Sequence, residues 1–409
     1  MENNCYDRVP KLRFSGFKEN WEEVRLGEIF EKNEERNRDG SIGYDKTISI
    51  ASMTYKPSGN GAADDSLRTY KVLRVGDIAF EGHTSKDYAY GRFVMNDLGV
   101  GIMSPRFTAM RPKLDIVVDF WSHLIHYEPI MRPLLLKSTK RGTMMNELIV
   151  ADFLKQSLLI PSLAEQQNIA DCLSAVDELI SAQDQKVELL KKRKHGLMQL
   201  LFPQNSETTP RLRFPGFTEE WEKRMFKDIT VPAGKKNRQN LPYERYSISN
   251  EVGFYPQSVQ FEDGGGYLKD IDCRQYIIVP PKSFAYNPAR INVGSIGYQN
   301  LVKDVIVSSL YEVFQTITDC DDSFLWQWFH TDIFHKMVVN VQEGGVRQYF
   351  FYEKLKECAI LLPSLLEQKK IADCLTSFDE IIASEEKKTD YLKIYKKGLM
   401  QQLFPVYSK

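Results

Sequence analysis

PSLAEQQNIADCLSAVDELISAQDQKVELLKKRKHGLMQLLFP at 161–203 returns as PSLLEQKKIADCLTSFDEIIASEEKKTDYLKIYKKGLMQQLFP at 363–405, with 24 of 43 residues identical. In the first copy, apolar residues fall at Ile169, Leu173, Val176, Ile180, Val187, Leu190, Leu197 and Leu201. Steps of three and four, broken by two gaps, are the heptad spacing of a helix that packs along one seam. The second copy repeats the seam at Ile371, Leu375, Phe378, Ile382, Leu392, Leu399 and Leu403, with Thr389 in place of Val187. Polar residues recur at equal heights, Gln183 and Lys194 against Glu385 and Lys396. Ser162 and Ser364, each behind a proline, are suitable N-caps, and Phe202-Pro203 and Phe404-Pro405 end the pattern. Two helices of close to 40 residues follow, about 55–60 Å long at the standard rise. A seam requires a partner, and the second copy supplies one in the same chain. The repeat therefore predicts an antiparallel pair with pseudo-twofold symmetry, and a coiled-coil dimer between chains is the alternative.

Outward from these helices lies a second echo. PKLRFSGFKENW at 10–21 returns as PRLRFPGFTEEW at 210–221, with 8 of 12 residues identical. Between the echoes, at roughly 22–155 and 222–357, correspondence is only scattered. Both inserts read as mixed α and β. The first offers strands at Thr47 to Met53, Val72 to Phe80, Arg92 to Met95 and Phe107 to Met110, then a helix from Ile116 to Leu136. The second offers strands at Tyr276 to Val279, Ser295 to Tyr298 and Val305 to Phe314, then a helix from Ser323 to Asn340. The expected fold class is α+β, with two mixed α/β domains joined by two long antiparallel coiled-coil helices. The expected segments are a first domain at 1–157, a central helix at 158–205, a second domain at 206–359 and a distal helix at 360–409.

Composition narrows the function classes. Hydrophobic residues at 42% and aromatic residues at 12% of 409 are those of a folded protein. The first 20 residues lack a signal-peptide pattern and no run of 18 apolar residues occurs, which predicts a cytoplasmic protein without a membrane partner. Six cysteines without a C-x-x-C pair predict neither zinc nor disulfides, and Cys172 and Cys374 read as small buried helix residues. Net charge is −1, and the inserts are balanced, with 19 basic and 19 acidic residues at 21–157 and 16 against 17 at 221–359. Neither is a basic domain, so charge leaves nucleic-acid binding open.

Basic residues still gather locally, at Arg36 and Arg38, at Arg132, Lys137, Lys140 and Arg141, and at Lys235, Lys236 and Arg238. Such segments can bind phosphates on a neutral protein, because screening confines the field to about 8 Å. Lys191 to Lys194 read instead as a solvated face that complements the helix dipole.

The inserts diverge most in two loops. Phe80 is followed by EGHTSKDYAYGR and Phe284 by AYNPARINVGS. Arg or Lys pairs with guanine and Asn with adenine, each good bidentate pair discriminating by about 1–3 kcal/mol. His83, Lys86, Arg92, Asn287, Arg290 and Asn292 are thus candidate DNA contacts, and each also reads as an ordinary exposed loop residue. Catalytic and metal residues are not predicted. A G-x-x-x-x-G-K-[ST] loop is absent, and Gly264 to Gly266 lacks the lysine of a phosphate cradle. Asn287-Pro288-Ala289-Arg290 lacks the second proline and the aromatic residue of an amino-methyltransferase tetrad. The six histidines have no ligand spacing, and His330 and His335 read as packing residues on a Trp- and Phe-rich helix.

W-E-x-x-x-L-G-E-I from Trp21, V-G-D-I-A-F at 75–80, the duplicated R-F-x-G-F-x-x-x-W and the two P-S-L-x-E-Q-x-x-I-A-D-C-L helix starts resemble the specificity subunits of type I restriction-modification systems over essentially the whole chain. That resemblance implies two target-recognition domains, each reading half of a bipartite double-stranded DNA site. It implies helices that set the spacer and dock two methyltransferase subunits, with motor and nuclease subunits joining. The chain itself would be non-catalytic, with S-adenosylmethionine, ATP and magnesium in the partners that carry out adenine methylation and restriction. Gly345-Val346-Arg347-Gln348 looks like the family's Gly-x-Arg-Gln stretch, where the first insert has Gly142, Thr143, Met144 and Met145. This marks Arg347 as a DNA contact and Arg141 as a displaced substitute. Two other classes remain to be weighed: a coiled-coil interaction adaptor that never reads DNA, suggested by the neutral charge, and a stand-alone nuclease or methyltransferase, for which no motif is present.

Overall fold

Ile78, Phe80, Phe93, Met95 and Met110 enter one core, while Ala79, Val94 and Ala109, which alternate with them, enter another. A period of two with both faces covered defines a buried sheet. Its four antiparallel strands lie in the order Phe30–Lys32, Thr108–Pro112, Ile78–Glu81, Arg92–Met95. Helices Val118–Ile125 and Glu128–Ser138 cover one face with Phe120, Trp121, Leu124 and Ile130. The second insert repeats this order with Thr230–Pro232, Glu312–Thr316, Ser283–Tyr286, Ile296–Gln299. There Phe284, Tyr286 and Phe314 face helices Asp322–Phe329 and Asp332–Gln342, and Ala285 and Val313 face the other way. Each domain is closed by a two-stranded ladder, Glu22–Arg25 with Ser157–Ile160 and Glu222–Met225 with Ala359–Leu362. The computed structural model describes residues 9–56, 64–204, 207–249, 253–260, 272–342 and 349–405.

Several expected elements prove to be composite. Val72 to Phe80 is two strands, Lys71–Leu73 and Ile78–Glu81. The turn between them needs Gly76 at φ 90°, and the buried Asp77 carboxylate accepts from the Arg74 amide at 2.8 Å. Thr47 to Met53 holds only the short strand Ile48–Ser49, which pairs with Thr54–Tyr55. Val305 to Phe314 divides into Val305–Val307 and Glu312–Thr316. The helix expected from Ile116 to Leu136 breaks before Pro129, whose missing N–H suits a first turn. Its counterpart breaks at Thr331, whose hydroxyl accepts from the Phe334 amide at 3.3 Å.

The copied segments are helices Leu163–Leu201 and Leu365–Leu403, 39 residues each. Contacts divide the chain into two units, Met1–Asp184 with Lys387–Lys409, and Gln185–Glu386, so the division falls inside both helices. In the first unit Lys396 meets Asp177 at 2.6 Å and Lys393 meets Asp184 at 3.7 Å. In the second, Lys194 meets Asp379 at 2.6 Å and Lys191 meets Glu386 at 2.8 Å. Rising numbers on one helix pair with falling numbers on the other, so the helices are antiparallel within each unit. Lys191 and Lys194 are therefore cross-helix partners, which corrects the expectation of a purely solvated basic run. Ile169, Leu173, Val176, Ile371, Leu375 and Ile382 are buried, while Ile180 and Phe378 are half-buried.

Both domain cores take in the far end of a long helix. Leu403 and Phe404 join Phe120, Tyr127, Ile169 and Leu173 in the first unit, and Leu201 and Phe202 join Trp221, Phe324, Ile371 and Leu375 in the second. The repeated openings at 10–21 and 210–221 have a physical role here. Arg13 grips buried Glu165 through two bonds of 2.7 and 2.8 Å, and Arg213 grips Glu367 at the same distances. The neighbouring Gln166 and Gln368 amides donate to the Pro161 and Pro363 carbonyls at 2.9 Å, satisfying the chain as it enters each helix. Cys172 and Cys374 are half-buried rather than buried. His335 is exposed rather than packed, whereas the His330 ring, though exposed on one side, packs edge-on to the Trp326 ring at 4.3 Å and bonds the Trp326 carbonyl at 2.7 Å.

Candidate nucleic-acid interface

In the first unit, strand Ile78–Glu81 delivers the chain into the divergent loop, and Gly82 is its first residue. A Cβ there would lie 1.9 Å from the Asn146 carbonyl oxygen, and the Asn146 amide donates to the Gly82 carbonyl at 2.8 Å. Only glycine permits this approach, and it ties the loop to a hairpin 64 residues away. The hairpin pairs Thr139–Lys140 with Glu147–Leu148 and turns at Gly142, where a Cβ would meet the Met145 carbonyl at 2.1 Å. Between loop and hairpin is an open cleft of about 710 Å³, whose lining includes Thr84, Ser85, Tyr90, Arg141, Thr143 and Met144. Lys140, Arg141, Thr143 and Met144 are exposed. The cleft thus presents hydroxyls, a guanidinium and a thioether, of which the hydroxyls and the guanidinium can donate to phosphate oxygens and base edges.

The candidates fare differently. His83 and Lys86 are exposed on the loop. Arg92 is spent within the fold, donating to Glu81 at 2.8 Å and to the Ala51 carbonyl at 2.6 Å, with its guanidinium 5.4 Å from the Tyr88 ring centre. Arg36 donates to the Thr69 carbonyl at 2.6 Å and bridges to Lys71, on a different strand pair. Arg38 is exposed nearby, and neither arginine lines the cleft.

The second unit brings the corresponding segments together with other side chains. The Asn287 side-chain oxygen accepts from the Ala289 amide at 3.0 Å, building a tight turn that leaves Arg290 exposed and Asn292 half-buried. The Phe350 amide donates to the Pro288 carbonyl at 3.0 Å, where the first unit has Asn146 and Gly82. Tyr349 and Phe351 stack beside it at 5.3 Å and are both exposed. Arg347 lies outside the described residues, as do Gly264 to Gly266. Lys235 and Lys236 are exposed on a strand paired with Ile277–Val279, Lys236 bonds Gln275 at 2.9 Å, and Arg238 is exposed beyond them. Thr84, Ser85, Thr143, Tyr349 and Phe351 were invisible as site residues, because a single sequence carries no signal for a meeting of segments so far apart.

One constellation imitates catalysis. His123 lies 3.4 Å from the Ser174 hydroxyl and 3.8 Å from Asp177. Both separations are long, and Asp177 is already held by Lys396 at 2.6 Å. In the second unit Gln327 stands at the equivalent place and donates to Asp379 at 2.8 Å. The cluster is a polar joint between domain and helices. Burial and the Lys396 charge depress the His123 pKa to about 4, so the ring is neutral there. Among the described residues, no group of three His, Cys, Asp or Glu side chains could hold a metal ion, and no helix is long and apolar enough to cross a membrane.

A family profile described as "Type I restriction modification DNA specificity domain" matches residues 87–192 and 218–393, most of both units. The chain belongs to this family. Among curated members of the type I specificity family, the MjaVIII specificity subunit of Methanocaldococcus jannaschii is 26% identical over 322 residues, spanning 74% of this chain and 73% of its own. A solved chain described under "Structural basis underlying complex assembly and conformational transition of the type I R-M system" aligns with a TM-score of 0.55 at 18% identity, covering 94% and 97% of the two chains. The type I S subunit from M. genitalium aligns equally well, with a TM-score of 0.55 at 12% identity, covering 98% and 100%. These likenesses show the specificity-subunit fold.

Proposed function

We propose that this chain gives a type I restriction-modification complex its DNA sequence, each recognition domain reading one half of a bipartite site. One observation carries the reading: two matching scaffolds bring the same two distant segments together at one edge, with different side chains in each. A scaffold repeated with unlike contacts suits recognition of two unlike half-sites. In the first domain Lys86, Lys140, Arg141 and Thr143 serve as contacts, and in the second Arg290, Asn292 and Arg347. Side chains that the fold engages, Arg92 and Arg36, position the loops. The long helices set the spacer and dock two methyltransferase subunits. Methyl transfer, motor activity and cleavage belong to partner subunits, which supply S-adenosylmethionine, ATP and magnesium.

Mapping methylated adenines in cells that express this chain with its partners tests the reading. Two short sequence blocks at a fixed spacing are expected. Arg141→Ala should relax one block and leave the other intact, with a loss of about 1–3 kcal/mol in affinity for the assembled complex. An Arg141→Ala methylome that is identical in both blocks removes the cleft from the interface. The balanced charge of both inserts favours one rival, an adaptor that leaves DNA reading to other subunits. That rival gains if gel shifts of the chain with its methyltransferase show no specific DNA binding, whereas specific binding that weakens steeply with salt supports DNA reading.

A further inference from the structure

Phe350 is fully buried with its amide on the Pro288 carbonyl at 3.0 Å, and Tyr352 is buried with its hydroxyl 2.9 Å from that of Thr230. The residues that alternate with them, Tyr349 and Phe351, are 44% and 46% exposed. Their rings stack on each other, with centres 5.3 Å apart and planes inclined by 20°. Neighbours locked in the core thus hold two aromatic rings in one orientation at the surface, and little side-chain freedom remains to be lost when a partner covers them. Both segments that meet here are cationic in sequence: residues 287–295 contain Arg290 and no acid, and residues 344–351 contain Arg347 and no acid. Arg290 is exposed. In the first unit Met145 and Glu147 flank Asn146 where Tyr349 and Phe351 flank Phe350. Glu147 is exposed, and its carboxylate repels a phosphate backbone.

We propose that the Tyr349–Phe351 stack is a wedge that opens one base step of the second half-site. This rests on the DNA reading proposed above and adds a means of discrimination that the first domain lacks. Preset rings amid cations and without acids suit an anionic partner that has flat apolar faces. In a duplex the groove edges and phosphates are mainly polar, and faces that match an aromatic ring lie between base pairs. A ring that enters there unstacks the step, which is easiest at the pyrimidine–purine steps TA and CA/TG. The second domain therefore selects such a step by its deformability, in addition to any base contact of Arg290. The duplex is kinked at that step, and the first half-site has no counterpart.

2-Aminopurine, which brightens when its neighbours unstack, tests this in duplexes that carry the methylated site, bound by the full chain assembled with its methyltransferase subunit. The methylated adenines are left out of the comparison, because a methyltransferase extrudes its target base. One position in the second block should brighten several-fold, and none in the first. Tyr349→Ala with Phe351→Ala should abolish that signal and weaken binding about tenfold, whereas Tyr349→Phe should keep both. Exchanging the pyrimidine–purine step for a purine–pyrimidine one should weaken the wild-type complex about tenfold and the double variant little. Both rings are exposed, so the double variant should keep its fold, which unchanged circular dichroism checks. Specific binding without brightening in the second block overturns the wedge, as does a double variant that keeps the signal and the step preference. Equal brightening in both blocks overturns the asymmetry. A double variant that loses its methyltransferase assigns the rings to that subunit and overturns the proposal as well. A wild-type complex that binds no specific DNA overturns the reading beneath it.

Discussion

His123 is a single residue whose protonation the fold opposes. Its pKa is depressed to about 4, first by burial and then by Lys396, against a smaller pull from Asp177 and with His126 adding to the depression. A base depressed on folding is protonated more readily when unfolded, so its contribution is complete above pH 6.5 and drains away as pH falls towards 4. The loss is on the order of 3 kcal/mol at the acid end of that window. His123→Gln copies what the second unit already uses at Gln327. Its melting temperature should fall less than the wild type's between pH 7 and 5, as scanning calorimetry can measure. Equal slopes for the two proteins would mean that other groups control acid stability. Sequence gave no hint of this joint, because His123 and Asp177 are 54 residues apart and no local pattern marks them.

The long helices were legible at the level of elements because a heptad seam is periodic along one segment. Individual strands were partly legible, Arg92–Met95 to the residue, but their bounds and pairing were not, because a strand covered on both faces shows apolar residues without alternation, as Ile78-Ala79-Phe80 does. The cleft was hidden for a related reason: Gly82 meets Asn146 only when the sheet and both covering helices are already in place. Helix entry depends on an equally remote contact. Removing Arg13 leaves the Glu165 carboxylate, 2% exposed, without its ion-pair partner. Arg13→Met should therefore cost about 2–4 kcal/mol, a range lowered for the partial exposure of the guanidinium. Chemical denaturation of the intact chain would show it, and the double variant Arg13→Met with Glu165→Met should recover much of the loss. A double variant no more stable than Arg13→Met would assign the effect to lost packing instead.

For the whole molecule, the proposed function would make the spacing of the recognised DNA a mechanical quantity set by the two long helices. Four residues inserted in register in both helices add about 6 Å of helix. The methylated site should then gain about one to two base pairs of spacer, at roughly 3.4 Å each, while its two specific blocks stay unchanged. An unchanged spacer in the methylome of that variant would exclude the helices as the ruler.

The first domain's core includes Leu403 and Phe404, at the end of the distal helix. During synthesis, residues up to Asp184 emerge long before those two exist, and the intervening 200 or so residues take roughly 10–40 s to make. For that interval the apolar ground beneath Phe120, Tyr127 and Leu173 has no cover. The first domain of this protein thus cannot close until the distal helix is made, and a nascent chain stalled before residue 403 carries an open seam for chaperones or proteases to find.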